Sequence, residues 1–81
     1  PESIYSAWTW ENKMREPARI ALSHIKPGID HAQAQGWTGN SWVYLTSING
    51  YVVEWNKHFE PEPYRFVLLD DFIDEQKQYR K

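Results

Sequence analysis

Cysteine is absent from the 81 residues, which excludes disulfides and thiolate metal ligands. A secreted domain of this size often needs such a staple, so the chain is expected to be intracellular, in the cytoplasm. No apolar run reaches the length of about 18 residues that marks a membrane span, and no signal-peptide pattern is visible. The first residue is Pro1 rather than Met, which leaves room for residues upstream. An excess of basic charge is missing too. The formal net charge is -2, whereas a duplex nucleic-acid binder usually shows a basic surplus. Residues 1–40 carry four acidic and four basic side chains, and residues 41–81 carry seven and five. That division is too even to identify a partner and falls far short of the acidic surface of a DNA mimic. Internal repeats, low-complexity tracts and Asn-x-Ser/Thr sites are also lacking.

Aromatic residues are abundant. Hydrophobic residues make up 41% and aromatics 16%, with five Trp and five Tyr. A single small domain, 1–81, is expected. A chain this short buries a modest share of its surface, but each buried aromatic removes a large area from water. Charged residues at 25% argue against disorder.

Residues 3–15, SIYSAWTWENKMR, suit either helix or strand, since periodicity does not settle so short a window. Helix is favoured, with Ser3 as a possible cap and good helix formers in ENKMRE. Pro17 suits a first helical position. Ala18, Ala21, Leu22 and Ile25 then form one apolar stripe at helical spacing, and Ile29 and Ala32 continue its register beyond Pro27-Gly28. Gly36 reads as a C-terminal stop. Residues 17–35 are therefore expected to be one kinked helix or two short ones, followed by a turn-rich connector at 36–40.

Asn49-Gly50 between β-rich runs is a strong hairpin signal. Strands are expected at about 41–48 and 51–58. A two-residue turn pairs Ile48 with Tyr51, Thr46 with Val53, Tyr44 with Trp55 and Trp42 with Lys57. Trp42, Tyr44, Ile48, Tyr51, Val53 and Trp55 then share one face, and Val43, Leu45, Ser47, Val52, Glu54 and Asn56 the other. The aromatic face is expected to pack under the Ala18–Ile29 helix. A second helix, 71–80 or 4–14, is available to cover Val43, Leu45 and Val52; uncovered, they would form an apolar patch of the kind that marks interfaces.

Glu60-Pro61-Glu62-Pro63 cannot be a central strand. Residues 64–69 read as a third strand. Asp70 or Asp71 then opens a final helix that ends in Lys77, Arg80 and Lys81, the charge order that the helix dipole prefers. Leu69, Phe72, Ile73 and Gln76 point inward. The fold class is α+β: N-terminal helices, a three-stranded antiparallel meander with the Asn49-Gly50 hairpin, and a C-terminal helix. An exposed strand edge at 41–48 or 64–69 would support a homodimer, though a monomer suits the sequence equally.

No catalytic constellation is visible. His24, His31 and His58 do not converge as metal ligands need to, because Pro27-Gly28 interrupts the first two. Asp70-Asp71 and Asp74-Glu75 read as ordinary charge at a helix start rather than an acid–base pair. There is no phosphate-binding Gly-rich loop and no nucleophile motif. No cofactor is implied, and no enzyme activity is expected.

Five Trp are hard to bury in so small a core with every indole N–H paired, and Trp and Tyr dominate interface hot spots. The leading expectation is therefore a small non-catalytic protein-binding module, of the accessory or inhibitor kind that phages and other mobile elements encode. Trp10, Trp37, Trp42, Tyr44 and Trp55 are its candidate partner-binding residues. The alternative is single-stranded nucleic-acid binding through the aromatic sheet face. The expected order of helices and then a meander also resembles small bacterial ribonuclease toxins of the RelE type. Those carry Arg, Lys and His on the sheet, and this mildly acidic chain lacks that set, so no residue role carries over. A hydrolase or nuclease using His58 with Glu60 or Glu62 is the least favoured reading.

Overall fold

The computed structural model describes residues 2–78, the side chain of Phe59 excepted. Helix α1 (Glu2–Met14) leads into five strands, β1 (Ala18–Lys26), β2 (Ile29–Trp37), β3 (Trp42–Ile48), β4 (Tyr51–Trp55) and β5 (Pro63–Leu68), and the chain continues into helix α2 (Leu69–Gln78). The strands form one sheet in the order β4-β3-β2-β1-β5, with every neighbouring pair antiparallel. The class is α+β, with a five-stranded rather than a three-stranded sheet.

The two additional strands replace the helix expected at 17–35. Pro27-Gly28 is not a helix kink but the turn of a β-hairpin, with Gly28 at φ 81. Proline presets the first central position of such a turn and glycine accepts the positive φ of the second. Ile25 is the extra residue, because the register runs from His24↔Asp30 to Lys26↔Ile29. Such a bulge adds twist, which a hairpin closed by this kind of turn otherwise lacks. The element order behind the resemblance to RelE-type toxins, helices and then a meander, is therefore present only in part: one helix, α1, precedes the consecutive antiparallel strands β1–β4. Helix α1 does form, starting at Glu2 rather than being capped by Ser3, and α2 begins at Leu69. Arg80 and Lys81, expected at the end of α2, lie outside the described residues.

The Asn49-Gly50 hairpin forms with the expected register, Ile48↔Tyr51, Thr46↔Val53 and Tyr44↔Trp55. Strand β4 ends at Trp55, however, so Trp42 faces Trp37 of β2 and not Lys57, which opens a short 3-10 turn. The two faces have the expected membership and the opposite orientation. Leu45, 1% exposed, lies in the core with Ile20, Ala34, Val67, Leu69 and Phe72, and Val43 and Val52 pack against them. Helix α1 covers β1, β2 and β3 on that side and α2 covers β1 and β5. Among the described residues neither α1 nor α2 lies over the face carrying Trp42, Tyr44, Val53 and Trp55.

Close packing of α1 on the sheet is set by small residues. Ala18 pairs with Gly36, and Ala32 and Ala34 follow along β2 on the same face. The ring of Trp10 occupies the space above Gly36: a Cβ there would lie 2.5 Å from the indole. Gly36 is therefore a glycine near the end of β2 that permits close approach, and not a helix stop. Of the two strand edges expected, the one at 64–69 is present as β5 and the one at 41–48 is not. Strand β3 is paired on both sides, so the free edges are β4 and β5.

Candidate functional site

The chain must pass from β4 at one edge to β5 at the other. Residues 56–62 make this crossing over the face opposite the helices and form a strap. Its start is shaped by Asn56, whose Oδ1 accepts the His58 backbone N–H at 2.9 Å. Its middle is pinned by Glu60. One carboxylate oxygen lies 2.9 Å from His31 Nε2, and the other accepts the Trp55 indole N–H at 3.2 Å. The Ser23 hydroxyl donates to the Pro61 carbonyl. Ala21 and Ser23 are buried on this face, opposite α1 and α2.

Beside the strap, one row crosses all five strands in register: Trp55, Tyr44, Gln35, Arg19 and Leu68. Arg19 is its one charged member. The guanidinium carbon sits 4.2 Å from the Trp42 ring centroid and 3.8 Å from that of Phe66. Contacts this close are attractive through the ring quadrupoles. Arg19 Nε donates to Gln35 Oε1 at 2.7 Å, and Gln35 is itself buried. Two rings and an amide thus hold the guanidinium, and among the described residues no carboxylate pairs with it. Burial lowers the Arg19 pKa, with Tyr44 opposing. Tyr44 is pushed above the ordinary tyrosine range, first by burial and then by the charges of Glu60 and Glu62; Arg19 and a hydrogen bond from Gln35 oppose that rise. A groove of about 520 Å³ opens next to this row, lined by Gln35, Trp42, Tyr44, Trp55, Asn56 and Lys57 among others.

Four of the five aromatic residues singled out in the sequence share this face. The Trp37 and Trp42 rings are 5.4 Å apart, and Tyr44 and Trp55 are cross-strand partners. Trp10 lies on the other side of the sheet, against Gly36, and its indole N–H donates to the Trp37 carbonyl at 3.1 Å. Arg19, Gln35, Phe66 and the role of Glu60 were not singled out. The alternation in His-Ala-Gln-Ala-Gln, residues 31–35, is the available signal for Gln35, since it puts His31, Gln33 and Gln35 on one strand face.

Among the described residues the pairing of His58 with Glu60 weighed above does not form. Glu60 pairs with His31 rather than His58. Ser23 is the cross-strand partner of His31, but its hydroxyl is buried and committed to Pro61 as a donor, so it is not poised as a nucleophile. His24 pairs with Asp30 at 2.8 Å and stacks on Tyr64. Among the described residues no group of three or more His, Asp or Glu side chains is placed to hold a metal ion, and no helix is long and apolar enough to cross a membrane. Comparison with protein-family models, with curated proteins and with solved structures finds no match to this chain.

Proposed function

We propose that this chain is a non-catalytic protein-binding module whose contact surface is the open sheet face around Arg19. The observation that carries the reading is the guanidinium itself: it is held between Trp42 and Phe66 and bonded to Gln35, yet has no carboxylate partner among the described residues. A preorganised arginine flanked by aromatic rings is the composition of an interface hot spot. Phe66 and Trp55 are each more than a third exposed beside it. The chemistry fits a protein partner that places an Asp or Glu side chain over Arg19, where the planar fork can bind a carboxylate through two hydrogen bonds. Glu60 and Glu62 lie beside the same surface, which favours a single carboxylate over a chain of phosphates.

Affinity capture from a native lysate, with and without nuclease and at two salt concentrations, supplies the partner. Reconstitution with that purified partner then tests the reading by calorimetry. Arg19→Gln should weaken binding at least about tenfold, the scale of one hot-spot contact. Arg19→Lys should restore little, because lysine cannot reproduce the fork. Binding that is equal in wild type and Arg19→Gln would overturn the assignment of the face. Recovery of nuclease-sensitive material whose affinity falls steeply with salt would instead favour single-stranded nucleic acid on the aromatic face.

A further inference from the structure

Free strand edges are templates for pairing, and proteins normally blunt them with proline, lysine, bulges or a covering element. Strand β5 follows this rule: it starts at Pro63, its pairing with β1 shifts between Leu22 and Ser23, and α2 packs beside it. Strand β4 does not. Its sequence is Tyr-Val-Val-Glu-Trp, regular along its whole pairing with β3, with no proline and no lysine. Tyr51 is 73% exposed and Val53 39%. The strap leaves β4 across the sheet face and so does not cover the edge.

The hydrogen-bonding parity of this edge follows from the turn. In a hairpin closed by a two-residue turn, the flanking pair, here Ile48 and Tyr51, exchanges both backbone hydrogen bonds. Alternation then directs the N–H and C=O groups of Tyr51, Val53 and Trp55 toward β3 and those of Val52 and Glu54 outward. Only registers that set these two outward residues against each other, or against themselves, can form.

We propose that β4 is a self-pairing edge through which two copies of this chain join antiparallel about a two-fold axis at Val53, making one continuous ten-stranded sheet. In this register Val52 of each copy exchanges backbone hydrogen bonds with the partner's Glu54. On the open face Tyr51 stands opposite the partner's Trp55, Val53 opposite its own counterpart, and Trp55 opposite the partner's Tyr51. Aromatic and β-branched cross-strand pairs of this kind stabilise sheets. The two Glu54 side chains lie on a diagonal, whereas a two-fold axis at Glu54 would set them directly opposite each other, and one at Val52 would lose the aromatic pairs. The five-residue strand is thus complementary to itself in one register. This inference goes beyond the contact proposed over Arg19 and does not depend on it, since Arg19 is on β1. The paired length is short against the roughly 1,200–2,000 Å² that stable complexes bury, so the dimer should form and dissociate with concentration.

Sedimentation and light scattering of the wild-type chain over a concentration series give the test. The mass should rise from 9.7 kDa toward twice that value. Glu54→Pro removes an outward N–H without touching the pairing to β3, and Val53→Lys sets like charges together at the axis. Both should stay at 9.7 kDa with an unchanged far-ultraviolet spectrum. If Glu54→Pro loses its fold, Val53→Lys alone decides. An isotope-filtered experiment on mixed labelled and unlabelled protein should show contacts between the Tyr51 and Trp55 rings of different copies. A wild-type chain that remains monomeric up to about 1 mM, a dimer that survives Val53→Lys, or intermolecular contacts at Phe66 and Leu68 in place of Tyr51 and Trp55 would each overturn the proposal.

Discussion

The indole of Trp10 fills the space that a side chain at residue 36 would need. A Cβ on Gly36 would meet the ring at 2.5 Å, and the same indole is anchored by its N–H to the Trp37 carbonyl. Gly36→Ala cannot be absorbed by a small shift, because helix α1 carries Trp10 and rests on β1, β2 and β3 at once. The substitution should cost about 1–3 kcal/mol, the range for overpacking a core, read as a lower urea midpoint. Trp10→Leu in the same chain should return part of the loss, because it removes the ring that the methyl strikes. Additive losses from the two changes would show that the contact is not what constrains Gly36.

The reach and the limit of the sequence are both visible in the strands. Asn49-Gly50 is a local signal, and it was sufficient to set the β3–β4 register and to sort the residues of each strand into two faces. Which face meets the core is not local. It depends on where a covering helix lies, and the spacing over 17–35 points to that helix. Ala18, Ala21, Leu22 and Ile25 do match helical spacing, and alanine is a strong helix former. The competing period-two pattern, Ala32, Ala34 and Gly36 against His31, Gln33 and Gln35, uses residues with no β propensity of their own. They are in a strand because α1 needs small residues beneath it, a tertiary demand that outweighs propensity. The Glu60 latch was illegible for a related reason: its partners His31 and Trp55 are brought to it only by the crossing from β4 to β5.

The orientation of the sheet gives a direct comparison. Leu45→Ala should destabilise by about 2–5 kcal/mol, as deletion of a buried leucine does. Ile48→Thr lies three residues further along the same strand, on the open face and more than half exposed. It should change stability by less than about 0.5 kcal/mol. Denaturant unfolding of the two variants distinguishes this arrangement from its inverse, in which the hairpin's aromatic face is buried and Leu45 is the tolerant position.

Glu60 should be the residue that keeps the strap on the sheet. Its side chain is 10% exposed and serves two donors of different strands. Glu60→Ala should cost about 1–2 kcal/mol, since both the His31 and Trp55 groups lose a partner. The more specific readout is hydrogen exchange. The Trp55 indole N–H and the backbone amides of residues 56–60 and 62 should exchange faster, while α1 and the β1–β2 hairpin keep their protection. Uniform acceleration across the chain would mean global destabilisation rather than release of the strap.

Tyr44 reports the electrostatics of the open face with a sign that can be checked. Burial, Glu60 and Glu62 raise its pKa, and Arg19 and Gln35 lower it. The fold therefore favours the neutral phenol, and the folded chain keeps this proton at a pH where the unfolded chain, with an ordinary value of about 10, has lost it. The stability that Tyr44 contributes is complete below that pH and declines as pH rises through the folded value. Tyr64 is shifted in the same direction, chiefly through its hydrogen bond to Asp30, so Tyr44→Phe should flatten only part of the alkaline loss. The neighbours should act in opposite directions. Arg19→Gln removes a cation that favours the phenolate and should move the Tyr44 titration to higher pH; Glu60→Ala removes an anion that opposes it and should move the titration lower. Ultraviolet difference spectra of tyrosinate formation, with Tyr44→Phe as the subtraction, measure both. Shifts of the same sign in the two variants would indicate that loosening of the strap, and not charge, controls the site.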